Sequence, residues 1–425
     1  MTTTASEVQA KGAAARAASR ALARLSSDVR NAALLAVAEG LLAHESEILA
    51  ANERDLAAGR ESGLDAPSLD RLKLDHDKLQ EIAADVRNVA SLPDPVGEIT
   101  EMRTLANGLR VGRKRVPLGV IAAVFESRPN VTVDIASLCL KAGSASILRG
   151  GKEAINSNIA LARAVREAIA GQGVPADVVQ LIENTDRALL GDLLKMSDVI
   201  DLIVPRGGMQ LIDYVRENAT MPVLIGGRGV CHVYVDPTAD LGKAVAIALN
   251  SKVRKVSNCN ALDTLLVHES VAEAYLPAIG KSWVEAGVEV RCDERSLGIL
   301  KSSGISGGVL AAGPDDFGYE FLAMVASVKV VESLDEALEH IYRYGTGHSD
   351  AIVTEDYSSA MRFVDEVDTA VVYVNASTQF TDGAQFGMGA EIIDSTQKTI
   401  ARGPVGLREI TTYKWIVLGD GQTRP

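Results

Sequence analysis

Apolar residues recur at two different periods along this chain, and the change from one to the other organises it. From Val29 to Leu49 they fall at helical intervals, with Leu34, Val37, Leu41 and Leu42 on one face and Ser27 or Asp28 placed to cap the first turn. A second helical stretch runs from Asp75 to Ala90 and stops before Pro93 and Pro95. Then the texture changes. Arg110–Lys114 reads as a short basic strand, and Gly119–Phe125 is a continuous apolar run of the strand type. Strands are predicted at 146–149, 178–182, 199–205, 223–225 and 231–235, with helices at 153–170, 186–195 and 209–217 between them. After residue 259 the alternation resumes, with strands at 262–268, 288–291, 327–331, 350–354 and 370–375 and helices at 270–285, 334–342 and 358–364. Strands separated by helices indicate βαβ units and a parallel sheet. The chain is therefore expected to be an α/β protein with two parallel-sheet domains that meet near residues 235–250. No 20–50-residue repeat is evident, and the tail from Gly403 is too short to be a domain.

Composition narrows the function classes. A chain of 425 residues with 47% hydrophobic and 23% charged residues is that of an ordinary globular protein of two or three domains. Its net charge of −13 argues against non-specific nucleic-acid binding, but leaves room for a local anion site. No apolar run approaches the roughly 18–20 residues that would span a bilayer. Ala13 to Arg24 reads as a first helix rather than a transit peptide, since Glu7 lies beside it and no cleavage site follows. Four widely spaced cysteines make no disulfide framework, and no Cys or His pair stands at metal-ligand spacing. A reduced, cytoplasmic protein without a metal is expected.

Three Gly-rich turns follow strand-like runs: Arg149-Gly150-Gly151-Lys152, Pro205-Arg206-Gly207-Gly208 and Gly226-Gly227-Arg228-Gly229. Glycine lets a backbone approach a ligand, and the N–H groups that open a helix favour a phosphate. Arg149 and Lys152 add charges suited to a nucleotide phosphate. Tight βα turns also use Gly for purely steric reasons, and no G-x-G-x-x-G follows a strand and opens a helix, so a dinucleotide would be held in a non-standard way. Of the cysteines, Cys139, Cys231 and Cys292 sit in helix or strand settings. Cys259 lies in the polar turn Ser257-Asn258-Cys259-Asn260, with Lys252, Arg254 and Lys255 just upstream. Positive surroundings lower a thiol pKa, and the thiolate is the nucleophile. An incidental loop cysteine is the competing reading.

The order of motifs resembles that of the γ-glutamyl phosphate reductases. It is carried by Pro117–Ile121 and Phe125–Thr132, Ile147–Glu153, Ile203–Gly208, Gly229–His232, Cys259-Asn260, Val374–Thr378, Phe380–Gly383, Ser395–Lys398, Ala401–Pro404 and Thr411–Trp415. The resemblance spans nearly the whole chain. It implies an aldehyde dehydrogenase-like fold: a cofactor domain (1–104 and 116–235, with 385–402 returning to it), a catalytic domain (236–384) and an oligomerisation arm (105–115 and 403–425). It implies that Cys259 is the nucleophile, that Asn130 donates to the oxyanion, that Arg149 favours NADPH, and that Glu320 meets the nicotinamide ribose. The Glu320 match is looser, because the expected Gly-Pro after Glu-x-Phe is missing.

Oxidative members of that superfamily carry a Glu just before the Gly-Gly that matches Gly226-Gly227. Here Val223, Leu224 and Ile225 precede it and cannot activate a deacylating water. The resemblance thus implies NADPH-dependent reduction of γ-glutamyl phosphate through a Cys259 thioester. Gly150, Gly151, Lys152, Pro205, Arg206, Gly207, Gly208, Gly226 and Gly227 would line the cofactor site. Arg128 could meet the departing phosphate, and Asn375, Ser377, Thr378, Thr381 and Asp382 the amino-acid end. His348 reads as a satisfied loop histidine. More than one subunit is expected, and glutamate 5-kinase is the candidate transient partner. An oxidative aldehyde dehydrogenase and a non-catalytic, partner-binding member of the fold stay open as alternatives.

Overall fold

The computed structural model describes residues 6–424. They form two compact units: residues 6–225 with 387–393 and 405–424, and residues 226–386 with 394–404. The first unit ends at Ile225, ahead of the boundary expected near 235–250, and the stretch 385–402 is shared between the two. No helix among the described residues is long and apolar enough to cross a membrane.

The first unit is built on a four-stranded parallel sheet in the order Val179–Leu181, Ala145–Arg149, Val120–Phe125, Leu202–Arg206. Every residue of Val120–Phe125 is buried, as a strand covered on both faces requires. Helices flank it, among them Ser27–Ala43, Glu45–Glu61, His76–Ser91, Val131–Lys141 and Ile155–Ala170. The single helix expected over 29–49 is two. His44 leaves the helical region (φ −98°, ψ 15°) with its Nδ1 2.8 Å from the Gly40 carbonyl, which ends the first helix while the apolar period runs on. The strand expected at 223–225 is reduced to one bridge, Ile203 with Val223.

A separate three-stranded antiparallel sheet joins Ile99–Thr104, Arg110–Pro117 and Thr411–Leu418. Its surface leaves Ile99, Met102, Tyr413, Trp415 and Val417 exposed, and the Arg113 guanidinium lies 4.5 Å and 4.7 Å from the ring centres of Tyr413 and Trp415.

The second unit holds a seven-stranded, wholly parallel sheet. Its order is Val309–Ala311, Glu289–Cys292, Val325–Val331, Leu262–His268, Cys231–Val235, Ser349–Val353, Val371–Val374. Cys231–Val235, expected in the first domain, is thus a central strand here. Alternation along the inner strands splits their side chains between two cores. Val233, Val235, Leu265 and Val267 pack with Tyr275, Leu276 and Trp283 of the helix Glu269–Glu285. Tyr234, Leu266 and Ile352 pack on the other face with Ile341 and Phe363. Strands buried on both faces explain why the sequence shows runs rather than alternation in this region.

Candidate active site

In the second unit, Cys259 sits on the turn that links the helix Leu241–Val253 to the buried strand Leu262–His268. It is the half-buried one of four free cysteines; the other three are buried. Burial pushes the Cys139 thiol up to about 12 and the Cys292 thiol to about 11, and raises Cys231 well above its ordinary value. None of those three can supply a thiolate near neutral pH.

The turn has no regular backbone ladder, so side chains hold it. Asn260 donates through Nδ2 to the Thr381 carbonyl (2.9 Å) and accepts at its own carbonyl from Thr378 Oγ1 (2.7 Å). The Thr378 N–H donates to Ser251 Oγ (3.3 Å), which lies 2.9 Å from Ser377 Oγ. Thr381 Oγ1 lies 2.6 Å from Ser349 Oγ and 2.8 Å from the Tyr373 hydroxyl. The hydroxyls of Ser377, Thr378 and Thr381, expected at the amino-acid end of a substrate, are therefore buried and already paired, that of Thr378 with the Cys259 turn itself and the other two with Ser251 and with Ser349 and Tyr373. Asn375, at φ 55°, has its amide bonded to the backbone of Thr354 through both Oδ1 (3.0 Å) and Nδ2 (2.8 Å). Asp382 accepts from the N–H groups of Ala384 (2.9 Å) and Gln385 (3.2 Å). One cavity nearby is lined by Asn250, Arg254, Gln379, Phe380 and Gln385; the Gln379 amide within it also donates to the Ser251 (3.1 Å) and Lys255 (3.4 Å) carbonyls. Of the polar lining residues, only Arg254 figured in the sequence reading, and there as a charge near the thiol.

The basic neighbourhood read around Cys259 is only partly open. Lys252 is fully buried, with its ammonium 3.4 Å from the equally buried Asp263 carboxylate. Burial lowers Lys252 and pushes Asp263 up to about 6, against the stabilising effect of each partner on the other. Lys252 therefore serves Asp263, while Arg254 and Lys255 are exposed.

The segment Gly226–Cys231 runs against the same turn. A Cβ at Gly229 would overlap the Cys259 carbonyl and lie 3.0 Å from its Cα, so this glycine is set by close backbone approach. The Gly229 N–H donates to Glu320 Oε1 (2.9 Å), and the Cys231 thiol donates to the Cys259 carbonyl (3.2 Å). His348 is also here. It is buried, its Nδ1 2.8 Å from Ser349 Oγ, and burial takes its pKa down to about 4 with Asp350 opposing. A ring nitrogen of His348, the Cys259 sulfur and an Asp394 carboxylate oxygen all lie within 4.8 Å of one another. The three residues come from distant parts of the chain, so no spacing signal could have assembled them.

In the first unit, Asn130 precedes the helix Val131–Lys141, and its Nδ2 donates to Asp134 Oδ2 (2.8 Å). Burial pushes the Asp134 carboxyl up to about 6, with Arg206 and the Asn130 amide opposing. Arg128 is exposed, yet local desolvation and the like charges of Arg206 and Arg71 lower its guanidinium, which marks a small cationic cluster. Arg149 is nearly buried. Its Nη2 donates to the Asp186 carbonyl (3.1 Å), while its Nε has no partner among the described residues. The Arg206 Nη1 donates to the Ile392 carbonyl. Several glycines answer to packing: a Cβ at Gly150 would meet the Asn158 amide and Phe125, one at Gly151 the Glu153 carboxylate, and one at Gly207 the Glu126 carboxylate. In the second unit, one at Gly227 would meet Thr396. Gly208, at the N-cap of the helix Met209–Asn218, has room for a Cβ at ordinary contact distance, but its N–H already donates to Glu126 Oε2 (2.9 Å); Lys152 is exposed in a 3₁₀ turn.

A family model described as "Aldehyde dehydrogenase family" matches residues 1–295 and 317–416. A γ-glutamyl phosphate reductase from Dehalococcoides mccartyi (strain CBDB1) is 57% identical over 418 residues, covering 98% of this chain and 98% of that protein. One from Roseiflexus castenholzii is 53% identical, over 97% of this chain and 98% of its own. The crystal structure of γ-glutamyl phosphate reductase from Thermotoga maritima superposes with a TM-score of 0.96 at 46% identity, covering 99% of this chain and all (100%) of that one.

Proposed function

Since the chain belongs to the γ-glutamyl phosphate reductases of the aldehyde dehydrogenase family, an oxidoreductase family, we propose that it reduces γ-glutamyl phosphate to glutamate-5-semialdehyde and phosphate. The reading rests chiefly on Cys259, the half-buried thiol among four, presented on a turn that its neighbours hold rigid. Its thiolate attacks the γ-carbonyl, phosphate departs, and a thioester forms. The Asn130 amide serves the oxyanion; its bond to Asp134 fixes the amide's orientation and leaves the second N–H to donate. Arg128, in its cationic cluster, is suited to the phosphate. The cavity lined by Arg254 and Gln379 offers a guanidinium to the substrate's α-carboxylate.

The residues present fit a nicotinamide dinucleotide. Gly208, its own N–H taken by Glu126, opens a ten-residue helix whose first N–H groups lack helical partners, and the buried Arg149 Nε has no partner among the described residues. Arg149, Lys152, Arg206 and Gly208 would hold its phosphates, and Glu320 its nicotinamide ribose. NADPH, when bound, supplies the hydride that reduces the thioester. The apolar Val223, Leu224 and Ile225 offer no base to a competing water, which preserves the thioester for reduction. The exposed apolar residues of the three-stranded sheet suit a subunit contact, and glutamate 5-kinase is the proposed source of the labile substrate.

The test is NADPH oxidation in the presence of a glutamate kinase, glutamate and ATP. Wild type should turn over, and Cys259→Ala should show no rate above the enzyme-free control. Turnover by Cys259→Ala would refute the covalent scheme, and aldehyde oxidation without acyl-phosphate reduction would favour an oxidative dehydrogenase.

A further inference from the structure

We propose that Cys259, His348 and Asp394 form a binding site for a thiophilic divalent cation of the zinc class, and that its occupation blocks the nucleophile. One sulfur, one imidazole nitrogen and one carboxylate oxygen converge within 4.8 Å. Tetrahedral zinc with bonds of about 2.0–2.3 Å places its ligand atoms roughly 3.3–3.8 Å apart, so side-chain rotation of about 1 Å closes the set. Three protein ligands leave a fourth position for water. Sulfur and imidazole together select a borderline-soft ion such as Zn²⁺ over Mg²⁺ or Ca²⁺, which require oxygen ligands throughout.

A second observation points to a ligand. His348 is 2% exposed, and its Nε2 has no hydrogen-bond partner among the described residues. A buried polar atom left unpaired is costly, and a metal–nitrogen bond is one way to satisfy it. The ring is also braced as metal ligands commonly are: Nδ1 meets Ser349 Oγ (2.8 Å), which meets Thr381 Oγ1 (2.6 Å), which meets the Tyr373 hydroxyl (2.8 Å). The Asp394 backbone is pinned by the Gly227 N–H (3.2 Å to its carbonyl oxygen), in the same unit.

Binding is a substitution without redox change. The thiol proton goes to solvent as the sulfur–metal bond forms, and all but one of the ion's coordinated waters leave. The same sulfur cannot then attack a carbonyl, so the ion and the acyl substrate exclude one another. Only this inhibitory consequence rests on the proposed function; the site itself does not.

The experiment uses the full chain and Zn²⁺ alone, without substrate. Cys259 alkylation by iodoacetamide is followed by mass spectrometry in chelated buffer and at rising micromolar Zn²⁺, after thermal unfolding has shown each variant to be folded. Wild-type alkylation should slow at least about tenfold with zinc and recover with chelator, while His348→Asn and Asp394→Asn should each need at least about tenfold more zinc for the same protection. Co²⁺ in place of zinc should give a thiolate charge-transfer absorption in wild type that both variants weaken. Equal protection in wild type and both variants would show zinc held by the thiol alone and overturn the site, as would no protection in wild type. If His348→Asn does not fold, Asp394→Asn, half-buried, decides by the same criterion. Zinc protection in a chain that fails to reduce the acyl phosphate would refute the proposed function and leave the site standing.

Discussion

Replacing Lys252 by Met separates two roles that its position ahead of Cys259 allows. If the ammonium lowers the thiol pKa, the variant should lose Cys259 reactivity. The geometry assigns it instead to Asp263, 3.4 Å away, with both side chains at most 2% exposed. Without Lys252 the Asp263 carboxylate keeps the Phe321 N–H (3.2 Å) but no countercharge, and it escapes by taking up a proton. Its folded pKa, about 6 in the wild type, then rises further. A group whose folded pKa is raised above its unfolded value contributes stability at low pH and loses it as pH rises through the folded pKa. The variant's extra loss therefore starts near pH 6 and grows by about 1.4 kcal/mol per pH unit, reaching about 2 kcal/mol at pH 7.5. That figure is a ceiling, since burial also depresses Lys252 and its removal relieves that penalty.

Urea unfolding of wild type and Lys252→Met at about pH 6 and about pH 7.5 measures the difference directly, with Cys259 alkylation run in parallel. The expected result is near-equal stability at the lower pH, a gap of about 2 kcal/mol at the higher, and alkylation rates within about threefold. A gap that does not change with pH would refute the proton-uptake argument. A tenfold fall in alkylation with unchanged stability would put the Lys252 charge on the thiol after all.

Two further outcomes follow from other contacts. Gly229→Ala drives a Cβ into the backbone of Cys259, where no side chain can rotate away, so it should cost about 2–3 kcal/mol in the second unit and sharply reduce turnover; unchanged melting and unchanged kcat would contradict the packing. Asp134→Asn removes a carboxyl whose folded pKa is raised to about 6, so the variant should be more stable than wild type by about 1–2 kcal/mol near pH 8, with the advantage fading toward pH 4; a variant less stable at pH 8 would show that Asp134 ionises at no cost.

The alternation of strand and helix was legible because doubly buried strands leave unbroken apolar runs, and the strands Cys231–Val235 and Leu262–His268 lie where those runs place them. The break at His44 was not, because the apolar period crosses it unchanged and the signal is a ring-to-carbonyl contact. The unit boundary was also misplaced. Ile225 ends a run that looks like a strand, yet it contributes a single bridge before Gly226, so nothing in residue type separates it from the true strand at 231. The glycines of the turns were readable as glycines but not as to cause: Gly150 and Gly207 answer to Asn158 and Glu126, which no local pattern indicates.

The region around Cys259 shows why site residues are harder to read than folds. A turn that presents a thiol has few backbone ladder bonds of its own, so nearby polar side chains must bond its carbonyls and N–H groups. Thr378 does this at the Asn260 carbonyl, Asn260 ties the turn outward to the Thr381 carbonyl, and Ser377 and Thr381 spend their hydroxyls on Ser251 and Ser349; from sequence they all resemble ligand contacts, since both roles need short hydroxyl and amide groups near a nucleophile. What distinguishes them is whether their hydrogen bonds are already made. By that measure Ser377, Thr378 and Thr381 are scaffold, Arg254 faces a cavity, and His348, in sequence an ordinary loop histidine, carries a nitrogen with no partner among the described residues beside the one half-buried thiol.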